Sequence, residues 1–137
     1  MYETTNKSAQ VRKQGLLYPE LSYEILNVLF DIYKQIGSGY QEKIYQRAVA
    51  VELRKRGIKF SEQLLAHVIV SGEVIGRYYL DFLINDVIVL EIKKDKNFSR
   101  THITQVYSYL KATSLKLGIL ANFTSQGVRY KRIVHEY

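Results

Sequence analysis

The chain has 137 residues, of which 47% are hydrophobic and 24% charged, the proportions of one globular domain around one core. A single Pro and 8 Gly leave little room for long linkers, and zero Cys excludes a disulfide framework, a zinc–thiolate site and a thiol nucleophile. No apolar run approaches the roughly 18 residues of a membrane span, so no membrane partner is expected. What remains is the charge: 20 Lys+Arg against 13 Asp+Glu, a formal net +7, which points to a polyanionic partner such as a phosphate backbone. The lack of Cys fits a cytoplasmic location.

Residues 1–16 are polar and non-periodic and read as a flexible N-terminal tail, leaving 17–137 as a single domain. Apolar residues at Leu21, Ile25, Val28, Leu29, Ile32 and Ile36 keep helical spacing, and the Gly37-Ser38-Gly39 turn ends that helix. The spacing predicts a second helix over 40–56, with Ile44, Ala48, Val51 and Leu53 on its apolar face. The period then changes to two. Short strands are expected at 58–63 and 65–70, and a longer one at 74–84 with a bulge near Gly76. Asn85-Asp86 marks a hairpin turn. Val87 to Leu90 is apolar on both faces, as in the centre of a covered sheet. A third helix over 101–112 and strands at 116–121 and 128–134 complete the chain. Strand 87–93, the helix and strand 116–121 form a βαβ crossover with parallel strands.

The chemistry concentrates around the central strand. Glu91 and Lys93 alternate onto one face at its carboxyl end, where open α/β sheets bind ligands. Asp81 lies on the hairpin strand beside it. A two-residue turn would set Asp81 beside Leu90, on the wrong face. A three-residue turn or a bulge sets Asp81 opposite Glu91 and Leu83 opposite Val89. Two facing carboxylates repel unless a cation lies between them. Hard oxygen donors next to a lysine describe a Mg2+ or Mn2+ site. Such an ion polarises a phosphate and activates water, while Lys93 orients that water or neutralises developing charge.

Two helical pairs add to this. Gln105 and Tyr109 share a face of the third helix at i, i+4 spacing and could hold a phosphate. Gly39, Glu42 and Tyr45 form G-x-x-E-x-x-Y at the start of the second helix, with Glu42 and Tyr45 on one face. Each has a plainer reading: core packing for Tyr45 and Tyr109, dipole complementation for Glu42.

Taken with AVELRKRGIKF (50–60), YYLDFLINDVIVLEIK (78–93), QVYSYLK (105–111) and LGILANF (117–123), these motifs resemble the GxxExxY protein family of the PD-(D/E)xK nuclease superfamily. The resemblance runs from about Leu21 to Val134. It implies an α/β, restriction-endonuclease-like mixed β-sheet flanked by helices, an αβββαβ core with an extra N-terminal helix. It implies a metal-dependent nuclease hydrolysing phosphodiester bonds of nucleic acid; DNA is preferred over RNA as the expected substrate, a choice the motifs themselves leave open. Asp81 and Glu91 match the metal ligands, the Ile92 carbonyl a third, and Lys93 the catalytic lysine. Gln105 and Tyr109 match the Q-x-x-x-Y element of the RecB-like branch, and Glu42 the helix-borne acid that completes the metal site. Leu80 replaces the Pro of the superfamily name, and Tyr33 stands where relatives often carry His.

The loop after Lys93 should border the site, which makes Lys94, Lys96 and Arg100 candidate backbone contacts. His102, one turn before Gln105, and Tyr45 are further candidates for nucleic-acid contact. Phe98 or Tyr107 could stack on an unpaired base. The cationic run at 54–56 reads as a solvated face, which is also the plainer reading of Arg129, Lys131 and Arg132. His67 and His135 have no metal-ligand spacing. The rival expectations are an inactive nucleic-acid-binding or assembly domain on the same fold, and a subunit that works as a homodimer or with a partner protein.

Overall fold

The computed structural model describes residues 2–3 and 17–136. Most of the expected 1–16 tail therefore lies outside the described residues. Tyr2–Glu3 forms a two-residue strand, β1, against the far edge of the sheet. Pro19–Ile36 is α1, opened by a proline whose fixed φ suits the first helical position. Glu42–Lys55 is α2, Phe60–Val70 is β2, Glu73–Ile84 is β3 and Ile88–Lys93 is β4. Arg100–Thr113 is α3, Leu117–Thr124 is β5 and Gly127–Val134 is β6.

The strands form one mixed sheet in the order β1-β6-β5-β4-β3-β2. Among the described residues only β4 and β5 run parallel, joined through α3 as the βαβ reading requires. Ile88, Leu90 and Ile92 of β4 face the core under α1 and α2, whereas Val89 faces the core under α3. The central strand is thus apolar on both faces because both are covered. Gly118 on β5 leaves room for the Val106 side chain of α3: a Cβ there would sit 2.5 Å from Val106 Cγ1. Among the described residues no helix is long and apolar enough to cross a membrane.

Three expectations change. The buried stripe of α2 is Tyr45, Val49, Ala50 and Leu53, while Ile44 and Val51 are exposed. The helix is rotated because the Tyr45 ring stacks on Phe123, centroids 4.2 Å apart, and an aromatic with a polar tip sets the phase. The two short strands at 58–63 and 65–70 are one strand, β2, which continues through a backbone irregularity at Gln63. Arg132 belongs to no solvated face. It is 1% exposed, and its guanidinium donates to Ser22 Oγ and the Leu17 carbonyl, both at 3.1 Å, pinning the start of α1 to β6.

The register beside the central strand is as expected. The connection 85–87 has three residues, with Asn85 and Asp86 both at positive φ, and Leu83 opposes Val89. The bulge in the β2–β3 hairpin falls at Val68/Ile69, where Ile75, next to Gly76, is the extra residue.

Candidate active site

Asp81 sits in a gap in the sheet. Pairing of β2 with β3 runs to Glu62 and Phe82, omits Gln63 and Asp81, and resumes at Leu64 and Leu80. Pairing of β3 with β4 ends at Phe82 and Leu90. Backbone groups at this level must find other partners, because a buried amide without one is costly. Side chains supply them. The Asp81 N–H donates to Glu91 Oε1 at 2.9 Å, and the Ile92 N–H donates to Asp81 Oδ2 at 2.7 Å. Two carboxylates thereby replace the carbonyls that a continuous ladder would have offered. The remaining oxygens meet side chains: Gln46 Nε2 donates to Asp81 Oδ1 at 3.0 Å, and Lys93 Nζ lies 3.4 Å from Glu91 Oε2.

Electrostatics follow from burial. Asp81 and Glu91 are 7% and 4% exposed. Burial pushes the Asp81 carboxyl up, against the Ile92 N–H and the Lys93 charge, which favour ionisation. Burial and then the Asp81 charge push Glu91 up to about 8. Lys93 is pulled down by burial, but Glu91, Glu42 and Asp81 together outweigh that and hold it above its ordinary value. Lys93 is therefore an ammonium at neutral pH: a fixed positive charge and hydrogen-bond donor, not a proton acceptor.

This donor set fits a hard divalent cation. Each carboxylate is fixed through one oxygen by a main-chain amide and turns its other oxygen toward a side chain. Burial raises each toward protonation, and a bound cation would offset that cost. Among the described residues no three His, Cys, Asp or Glu side chains converge on one point. Glu42 accordingly meets Lys93 Nζ, at 3.5 Å, and does not form a three-acid cage.

The other expected residues divide. Tyr45 is buried at 1% exposure; its hydroxyl donates to the Gly37 carbonyl at 2.7 Å and its ring lies on Phe123. The expected nucleic-acid contact at Tyr45 is therefore replaced by a structural role, holding the turn before α2. Gln105 and Tyr109 are half-buried on α3, and among the described residues no hydrogen bond joins either side chain to the acid pair. The Gln105 carbonyl accepts from Tyr78, and Tyr109 packs in the core under α3. His102 lies near the site: burial and then the Lys93 charge lower it, against Asp95 and Glu42. Lys94, Lys96 and Arg100 are exposed on and after the loop that follows β4. Phe98 is half-buried under the Lys131 ammonium, 5.3 Å from its ring centroid. Tyr33 donates its hydroxyl to the Thr124 carbonyl at 2.9 Å.

Three residues went unread in the sequence. Gln46 follows Glu42 by one helical turn, and that i, i+4 relation was the available signal. Asn122 is 1% exposed beside Lys93 in the parallel register, and donates to the Asp95 and Asn97 carbonyls at 3.0 and 3.1 Å. It fastens the loop bearing Lys94 and Lys96. Gln63 opposes Asp81 with φ 56, and no sequence pattern marks that.

A family model described as the PD-(D/E)XK nuclease superfamily matches residues 19–133. No curated protein is close enough in sequence to count as a relative. Among solved structures, the chain is similar to SSO0001, with TM-score 0.53 and 21% identity, over 95% of this chain and 63% of that one. It is also similar to an alkaline exonuclease (LHK-Exo) from Laribacter hongkongensis, with TM-score 0.50 and 14% identity, over 94% of this chain and 75% of that one. The chain thus spans under two thirds of the length of SSO0001. These likenesses agree with a restriction-endonuclease-like fold, a mixed sheet flanked by helices.

Proposed function

Because this chain belongs to the PD-(D/E)XK nuclease superfamily, we propose that it is a divalent-metal-dependent nuclease that hydrolyses phosphodiester bonds of DNA. One observation carries the reading: the Asp81 and Glu91 carboxylates face each other in an interruption of the sheet, with the Lys93 ammonium 3.4 Å from Glu91. Asp81, Glu91 and the Ile92 carbonyl would hold Mg2+ or Mn2+, with water and substrate phosphate filling the remaining positions. The ion, when bound, supplies Lewis-acid polarisation of the scissile phosphate.

The protein's own groups do the rest. Lys93 presents a permanent positive charge to the phosphoryl oxygens, where charge accumulates during attack. Glu42 holds the Lys93 ammonium from the helix side, and Gln46 fixes the Asp81 carboxylate rotamer. His102 is lowered toward its neutral form and can donate its ring N–H to a phosphate oxygen. Lys94, Lys96 and Arg100 grip the backbone, and Gln105 and Tyr109 border the substrate path on α3. We place the chain in the GxxExxY branch on Gly39, Glu42, Tyr45 and the Gln105–Tyr109 pair, and assign it a cytoplasmic location.

The test is hydrolysis of single- and double-stranded DNA and RNA by purified protein with magnesium or manganese. DNA should be degraded, and chelation should stop it. Lys93→Ala should lose about 10²–10³-fold in rate, the usual cost of removing one preorganised donor of transition-state charge. Undiminished activity in Lys93→Ala and Asp81→Asn would refute the roles. Binding without cleavage, indifferent to magnesium and to Glu91→Gln, would make the chain an inactive nucleic-acid-binding domain.

A further inference from the structure

Lys93 and Glu42 lie on the Glu91 side of the acid pair. Asp81 also borders a cavity of about 180 Å3, lined by Lys43, Gln46 and Arg47 of α2, Glu62 and Gln63 of β2, and Asp81 and Phe82 of β3. We propose that this cavity is a phosphate subsite, taking the backbone phosphate next to the one being cleaved. Its place in the reaction rests on the nuclease reading above; its affinity for phosphate does not.

Three independent features support the assignment. The first is unspent positive charge. Lys43 and Arg47 stand at i, i+4 on one face of α2, both exposed, and among the described residues neither is ion-paired. Other cations of the same helix and its end are engaged: Arg56 with Asp31 and Glu52, and Arg54 over the Phe60 ring. Arginine's planar fork matches phosphate oxygens bidentately, and a nearby lysine adds a point charge. The lining also holds two carboxylates, Glu62 and Asp81; both Asp81 oxygens already accept hydrogen bonds, from the Gln46 amide and the Ile92 N–H, which leaves Glu62 as the acid opposite the two exposed cations.

The second is backbone conformation. Gln63 adopts φ 56 in mid-strand, a left-handed conformation that a non-glycine residue rarely takes. The ladder is regular on both sides of it, at Glu62 and at Leu64. The distortion is therefore local to the residue facing Asp81, and such strain concentrates at ligand sites. The third is size and chemistry. Room for about six waters accommodates a phosphate and part of its hydration, at roughly 30 Å3 per water. The Gln46 and Gln63 amides can offer neutral N–H donors.

Fluorescence anisotropy of a short single-stranded DNA on the intact protein, in chelator so that no cleavage occurs, tests the site. Lys43→Ala/Arg47→Ala should weaken binding on the order of tenfold at low salt and flatten the slope of log K against log salt by about 1.4, two contacts' worth on single strands. Lys55→Ala/Lys111→Ala removes the same charge near the far ends of α2 and α3 and should change neither by more than a small part of that. Arg47→Gln alone should give a partial loss and guards against a folding defect in the double variant. Equal losses in the two double variants, or none in the first, would overturn the subsite. The strand is offered with phosphorylated and with hydroxyl ends. Loss confined to the phosphorylated strand assigns the ligand as a terminal monoester; equal loss on both assigns it as an internal diester. Failure of the nuclease reading shows separately, as absence of magnesium-dependent cleavage in wild-type protein whose binding still depends on Lys43 and Arg47.

Discussion

The two halves of the sheet are built differently. In β4, β5 and β6 the ladder is continuous: β5 pairs with β6 from Leu117 to Thr124 and with β4 from Leu117 to Asn122, and all 8 of its residues are buried. Between β2, β3 and β4 it breaks: β2 and β3 skip the Gln63–Asp81 pair, and β3–β4 pairing ends at Phe82 and Leu90, so Asp81 and Glu91 are not paired to each other. The continuous half has no ionisable side chain on its central strand β5. The interrupted half buries two carboxylates, with a half-buried ammonium against one of them. Continuity serves stability, since hydrogen bonds and apolar packing coincide there. Interruption serves chemistry, since it lets side-chain oxygens enter the sheet where main-chain carbonyls would otherwise stand.

The largest effect should come from the continuous half. Leu120 is fully buried against α3, and Leu120→Ala should cost about 2–5 kcal/mol, read from the denaturant midpoint. Glu91→Gln in the interrupted half should do the reverse. It removes a carboxylate whose burial opposes ionisation, so metal-free protein at pH 8 should be as stable as wild type or more so, while cleavage falls about 10²–10³-fold. If Glu91→Gln unfolds the protein as readily as Leu120→Ala does, the carboxylate is a structural wedge and the division between the halves fails.

A smaller effect distinguishes the halves by pH. Glu91, pushed up to about 8, binds its proton more tightly folded than unfolded, and Asp81 shifts in the same direction. The stability this contributes is fully present below the ordinary carboxylate value and is lost as pH rises through about 8. Metal-free protein should therefore melt progressively lower from pH 5 to pH 8.5. His102, lowered in the folded state, acts in the opposite sense around pH 6.5 and blunts the decline. Magnesium should restore the melting temperature most at the alkaline end, with release of up to about one proton on binding near pH 7. A flat metal-free profile that Glu91→Gln leaves unchanged would contradict the electrostatics of the pair.

The continuous half was the more legible in sequence, and the reason is physical. Val87 to Leu90, Leu117 to Ala121 and the helix between them are specified by burial on both faces, which the apolar pattern records directly. The acid pair was legible through one inference: strand parity lets Asp81 and Glu91 share a face only with a three-residue turn or a bulge, and 85–87 is such a turn. The phase of α2 was not legible, because the aliphatic residues Ile44 and Val51 set the expected stripe, whereas Tyr45 is the helix's principal anchor. Gln46 and Asn122 were hidden for a different cause. Amides at those positions act through contacts with Asp81 and with the 95–97 carbonyls, and neither contact is local in sequence. The buried Arg132 shows the same thing: its partners, Ser22 and Leu17, lie at the other end of the described domain.

The smallest effect probes the interruption itself. Gln63 is left-handed, whereas Ser61, two residues earlier on the same strand, pairs regularly with Leu83. Glycine carries no Cβ penalty at positive φ but loses more backbone entropy in an extended strand. Ser61→Gly should thus cost about 0.5–1 kcal/mol, and Gln63→Gly should cost nothing or stabilise by up to about 1 kcal/mol. The same substitution two residues apart would change sign. Gln63→Gly should also weaken oligonucleotide binding, because the amide that borders the Lys43–Arg47 cavity is lost with the side chain. Equal destabilisation at the two positions would mean that the chain does not hold Gln63 in a strained conformation, and that the break beside Asp81 is set by the two carboxylates alone.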